Sequence, residues 1–125
     1  MQSPTPTVND SLEFTPGPFD TLTDGLDYAA KGDTGYNYYS VRGELTASLP
    51  YSKLRHRAIN LAGKLLKYGF STGDRIVVLA DTSPDFHTIF FACQYASLIP
   101  VPLPIPANLG GRETYVENAR AMICL

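Results

Sequence analysis

Two histidines, two cysteines and a Gly-Gly pair are the residues of this 125-residue chain best suited by type to catalysis or ligand binding. His56 falls on the polar side of a helix and His87 near a helix start. Neither has beside it the Cys or carboxylate pattern of a catalytic triad or a metal site, so both are read as structural. Cys93 lies in an apolar run with nothing nearby to lower its pKa, as a small core residue does. Cys124 is second from the end and so makes no C-a-a-X prenylation box. The pair Gly110-Gly111 precedes a helix and could in principle cradle an anion. Glu113 and Glu117 occupy that helix's first turns and would repel one, so the pair reads as a hinge. The chain also has no Walker-type phosphate loop and no G-x-G-x-x-G, G-x-S-x-G or H-E-x-x-H motif. On the residues alone, the expected catalytic, cofactor-binding and metal-binding sets are empty.

Two other stretches invite a functional reading. Between Tyr51 and Thr72 stand Lys53, Arg55, Arg57, Lys64 and Lys67 without one acid. Such a face could dock a membrane or an acidic carrier domain, against the simpler reading of a solvated helix face balanced by acids elsewhere. The second stretch is "IPVPLPIP", with Pro100, Pro102, Pro104 and Pro106 at every second residue. Prolines forbid a helix and remove backbone donors, so the segment is extended and is not a fully paired central strand. No two prolines are three apart, which excludes a P-x-x-P ligand.

These residues need elements to hold them. Residues 1–20 begin rich in Pro, Thr and Ser and read as a flexible leader. A short helix is expected from Thr21 or Thr23 to Ala30, with Leu22, Leu26 and Ala29 on one face. "YNYYSVRGELTASL" reads as a hairpin turning at Arg42-Gly43. The clearest helix spans Tyr51–Tyr68, with Pro50 in the first helical position and Gly69 ending it. Leu54, Ala58, Leu61, Ala62 and Leu65 form its apolar stripe, and Arg55 is the one charge near that stripe's edge. After a turn at Gly73-Asp74, the run Ile76–Ala80 predicts a strand buried on both faces. Ser83 and Pro84 then open a helix from Asp85 to about Leu98, apolar almost all round, that must be covered on most sides. The proline ladder is the next extended element. Arg112–Met122 gives a last helix, with Val116, Ala119 and Ile123 on one side.

This order is an α/β pattern with at least one strand–helix–strand crossover. Two strands are too few to cover the apolar helix, so the expectation is the opening part of a larger layer. The apolar fraction is 44%, enough for a core. A net charge of −2 gives no general reason to bind nucleic acid or anionic lipid. The absence of a signal peptide, of a bilayer-length apolar run and of a disulfide framework implies a cytoplasmic chain.

Taken together, Leu49-Pro50-Tyr51 with Leu54, then Gly73-Asp74-Arg75-Ile76, Phe86, Ala96-Ser97 and Val101-Pro102-Leu103 form an ordered series. In that order and spacing the series resembles the N-terminal region of the adenylate-forming superfamily of acyl- and aryl-acid activating ligases. Pro50 stands for the usual Thr and Ser97 for the usual Gly. The proline-rich continuation and "GRETYVENARAM" are more similar to fatty acyl-AMP ligases than to acyl-CoA synthetases. The resemblance implies an α/β fold class: residues 21–125 as an incomplete N-terminal portion of the large domain, a β-hairpin followed by strand–helix–strand–helix. It implies a whole enzyme that uses ATP and Mg2+ to join a fatty acid to AMP with release of pyrophosphate. The implied partners are the remainder of the ligase and, for the whole enzyme, the fatty acid and an acyl carrier protein, with the acyl acceptor left open. In the family the phosphate loop, the ribose-binding acid and the catalytic lysine lie downstream of the motifs matched here. No residue here matches them, so this chain alone is expected to be inactive. Two alternatives stay open: part of an acyl-CoA synthetase, or a free-standing non-catalytic module that binds an acyl chain or docks a partner.

Overall fold

The computed structural model describes residues 12, 13, 15–105 and 111–123. Most of the expected leader, Pro106, Gly110 and Cys124 lie outside the described residues. Eight elements follow in order: α1 (Leu22–Ala29), β1 (Gly35–Tyr39), β2 (Leu45–Pro50), α2 (Tyr51–Lys67), β3 (Arg75–Leu79), α3 (Pro84–Tyr95), β4 (Ile99–Leu103) and α4 (Arg112–Ile123). The α/β class expected from the sequence is the one observed. β1 and β2 form an antiparallel hairpin, and β3 and β4 a parallel pair linked through α3.

Each local signal has a visible cause. Thr21 caps α1 by accepting from the Asp24 amide at 3.1 Å. The hairpin turns where Gly43 takes φ 81° and its amide reaches the Ser40 carbonyl at 2.9 Å. At the hairpin's other end Gly35 pairs with Pro50, and a Cβ there would sit 2.4 Å from the Leu49 carbonyl oxygen. Only glycine fits that approach. Pro50 is not the first helical residue as expected. It is the last residue of β2 and caps α2 from extended backbone, at φ −55° and ψ 143°. Its fixed φ suits either place, and pairing with Gly35 decides between them.

α2 buries Leu54, Ala58 and Ala62, with Leu61 and Leu65 half-buried beside them. It ends in a Schellman arrangement: the Phe70 amide reaches the Leu65 carbonyl and the Gly69 amide the Leu66 carbonyl, with Gly69 at φ 99°. α3 starts as expected, Ser83 accepting from the Phe86 amide at 3.2 Å with Pro84 next in line. It stops at Tyr95, three residues before the expected end. The Leu98 amide folds back on Cys93 and the Ser97 amide on Gln94, with Ser97 at φ 57°. Ala96 and Leu98 continue the apolar pattern but are buried in the turn rather than in helix.

The core lies between α2 and α3. Ala58 and Ala62 on one helix and Ala92, Cys93 and Ala96 at the end of the other are all buried in one cluster. Small side chains on both helices let the axes approach closely. Tyr38 and Leu49 of the hairpin and Leu26 of α1 complete the same cluster.

The proline ladder resolves in β4. The Ile99 amide donates to the Asp74 carbonyl at 2.8 Å, and Ile99 through Leu103 pair with Arg75 through Leu79. Strand residues alternate in direction, so Val101 and Leu103 also aim their amides at β3. Pro100 and Pro102 then fall where the missing donors face the open edge, which is where a strand tolerates proline. β3 departs from the expected burial on both faces. Val78 alone is buried, while Leu79 is 55% exposed. With two strands in the sheet, Ile76, Val77 and Leu79 line a groove of about 380 Å3 with Leu61 and Leu65. α4 is mostly exposed: Val116 faces solvent, and the side chain of Ile123 lies outside the described set. The Tyr115 hydroxyl ties α4 to the Pro104 carbonyl at 2.5 Å.

One polar cluster joins three helices. Asp27 of α1 accepts from Arg55 Nε of α2 at 2.6 Å and from the Tyr95 hydroxyl of α3 at 2.5 Å. Tyr95 and Arg55 together hold the Asp27 carboxyl below the usual carboxylate range. Burial, then the Asp27 carboxylate, push the Tyr95 hydroxyl well above the phenol range. A depressed carboxylate stabilises the fold above its unfolded pKa, about 3.9, and that contribution fades as pH falls through the folded value. Both side chains of the ion pair are more than two-fifths exposed, so solvent screening keeps its contribution small. Asp27→Asn should therefore lower stability in urea unfolding at pH 7. The gap to the unmodified protein should shrink below about pH 4, where the unfolded chain's carboxylate takes up a proton before the native one does. Ser97→Gly should raise stability by about 1 kcal/mol, since a left-handed serine becomes an unstrained glycine. A rise in the thermal midpoint is the readout.

Candidate functional site

The residues singled out by type do not converge. His56 is exposed on α2, and its Nε2 lies 3.1 Å from the Asn60 amide nitrogen. His87, on the first turn of α3, is half-buried against the hairpin. Its ring stacks on Tyr36 with centroids 4.2 Å apart, and its Nδ1 lies 2.9 Å from the Tyr38 hydroxyl and 3.1 Å from the Ser83 carbonyl. Burial pushes the Tyr36 and Tyr38 hydroxyls up, away from an ionisable range useful near neutral pH. This cluster of Tyr36, Tyr38, Tyr51 and His87 fastens the hairpin to α3. It presents no nucleophile with a base behind it.

Cys93 is fully buried in the seam between α2 and α3, and burial raises its thiol pKa. It is a core residue, as its apolar surroundings in the sequence imply. Gly111 and Glu113 are exposed at the start of α4, and Gly110 lies outside the described residues. Among the described residues no three His, Cys, Asp or Glu side chains gather to hold a metal ion. No described helix is long and apolar enough to cross a membrane.

Residue-by-residue reading missed the Asp27–Arg55–Tyr95 cluster. Its signal was Arg55, a cation set at the edge of an apolar stripe. All three groups satisfy one another, so the cluster works as a clamp and leaves no charged group free to act on a substrate.

One open cleft among the described residues, about 540 Å3, lies between the approach to α1, the start of α2 and Phe91 of α3. Phe19, Leu22, Leu26, Tyr51 and Phe91 line it, with Asp20 and Thr21 at the polar side. Its walls can take an apolar group. Asp20 is the one carboxylate among the described residues that line it.

Comparison with known proteins identifies the larger architecture. The profile of AMP-binding enzymes matches residues 30–125. A protein of Caulobacter vibrioides named as an acyl-CoA synthetase is 53% identical over 115 residues, covering 91% of this chain and 20% of that protein. A structure from structural and functional studies of fatty acyl-adenylate ligases of E. coli and L. pneumophila superposes with a TM-score of 0.81 at 41% identity. It covers 86% of this chain and 19% of that one. The crystal structure of a fatty acid AMP ligase from Legionella pneumophila shares the fold, with a TM-score of 0.71 at 24% identity over 83% of this chain and 18% of its own. The chain spans about a fifth of the length of these relatives. With the family profile matched across residues 30–125, the chain belongs to the AMP-binding enzyme family.

Proposed function

We propose that residues 21–125 are the opening part of the large domain of an ATP-dependent ligase that activates fatty acids, with residues 1–20 preceding that domain as a leader. In the whole enzyme a fatty acid carboxylate is joined to the AMP moiety of ATP, and pyrophosphate leaves. The observation that carries this reading is the likeness to the fatty acyl-adenylate ligase structure, 41% identical over 86% of the chain.

Within that enzyme this segment supplies scaffold rather than chemistry. Among the described residues, polar side chains serve the helix caps, the hairpin clasp and the Asp27 clamp, which supports that reading. ATP and Mg2+ are the proposed cofactors of the whole protein. A reducing, ATP-supplied cytoplasm suits the buried free thiol of Cys93 as well as the reaction. An acyl carrier protein is the proposed acceptor of the activated acyl group. A second reading, transfer to coenzyme A, draws support from the name of the Caulobacter relative.

The test is ATP–pyrophosphate exchange by the whole protein across fatty, aryl and amino acids, repeated with coenzyme A present. Exchange that depends on fatty acid, without thioester formation, is the expected result, and residues 1–125 alone should give none. Formation of acyl-coenzyme A would select the second reading. Exchange driven only by aryl or amino acids, or by no acid, would overturn the proposal.

A further inference from the structure

The solvent face of α2 carries three features that the rest of the described fold leaves without a partner. The first is charge. Lys53, Arg57, Lys64 and Lys67 recur at i, i+4, i+11 and i+14 along one exposed row. Among the described residues none of the four has an ion-pair partner; the one pair on this helix is Arg55 with Asp27. Lys53 and Arg57 repel each other as like charges one turn apart. Lys53 also sits in the helix's first turn, where its dipole disfavours cations, whereas Lys64 and Lys67 lie in the last turn, where it favours them. α2 takes five of the chain's ten cations and none of its twelve acids.

The second feature is Gly63. Glycine in a helix interior is weaker than alanine, and a Cβ at this position would meet nothing within 4 Å. No packing in the described fold asks for it. The third is apolar exposure. Ile59 and Leu66, one turn either side of Gly63, are 38% and 50% exposed. Gly63 thus forms a bare notch with an apolar row on one flank and the cationic row on the other. At the helix end Lys64, Lys67 and Tyr68 line a surface depression of about 400 Å3.

A second helix fits this relief. Its backbone can approach closely at the glycine, its apolar residues can cover Ile59 and Leu66, and its acids can pair with the cationic row. An anionic bilayer would use the cations, but it has no use for a glycine notch, and the apolar row is short for insertion. We propose that this face of α2 is a docking site for an acidic amphipathic helix presented by a partner protein. The inference stands on the face itself and not on the reaction proposed above.

The experiment uses the whole protein and a labelled amphipathic helical peptide with one row of leucines and one of glutamates, followed by fluorescence anisotropy. Three comparison ligands accompany it: the same composition broken by prolines, poly-glutamate, and phosphatidylglycerol vesicles. Saturable binding is expected, weakened at least tenfold by Lys64→Glu combined with Lys67→Glu. Gly63→Gln should weaken it at least fivefold while raising the thermal midpoint, so that lost binding cannot be lost folding. The proposal is overturned if no saturable binding occurs or if both variants bind as the unmodified protein does. Equal binding of the proline-broken peptide, poly-glutamate or the vesicles also overturns it, since the face would then be a general polyanion surface.

Discussion

Close packing of α2 on α3 is the constraint from which the remaining geometry follows. Ala58 and Ala62 on one side, and Ala92, Cys93 and Ala96 on the other, are buried in one cluster and give the seam small side chains on both faces. Interiors packed to this density resist even a single added methylene. Everything else is fastened to that pair. The hairpin enters through Tyr38 and Leu49, α1 through Leu26 and the Asp27 clamp, and the parallel strands through the two ends of α3.

Function follows from what this arrangement leaves unspent. Tyrosines and His87 go into fixing the hairpin against α3, and Asp27, Arg55 and Tyr95 into fixing three helices together. Polar side chains that satisfy one another rigidify the fold they join. The outward face of α2 is different: its charges and its mid-helix glycine find no partner inside the described fold.

Much of this was legible because local chemistry and tertiary packing agree. The 3.6-residue stripe of α2, the Ser83-Pro84 start of α3 and the turn at Gly43 each carry a physical signal within a few neighbouring residues. The resemblance that named the family also rested on such short motifs in order, and the match over residues 30–125 agrees with it. Misreadings came where the deciding partner lay elsewhere. The apolar run at β3 announced a capacity for burial but not what covers it. α3 ended early because Ser97 accepts a left-handed turn that glycine would have advertised. The Asp27 clamp joins residues 28 and 68 positions apart, beyond the reach of any periodicity.

Hydrogen exchange under native conditions, with and without Ala58→Leu, tests the seam most directly. An oversized side chain there should cost about 1–3 kcal/mol. If the seam organises the fold, amide protection should fall together in α2, α3 and both hairpin strands, with α4 exchanging quickly throughout. Protection lost in α2 alone, with α3 and the hairpin unchanged, would contradict the account.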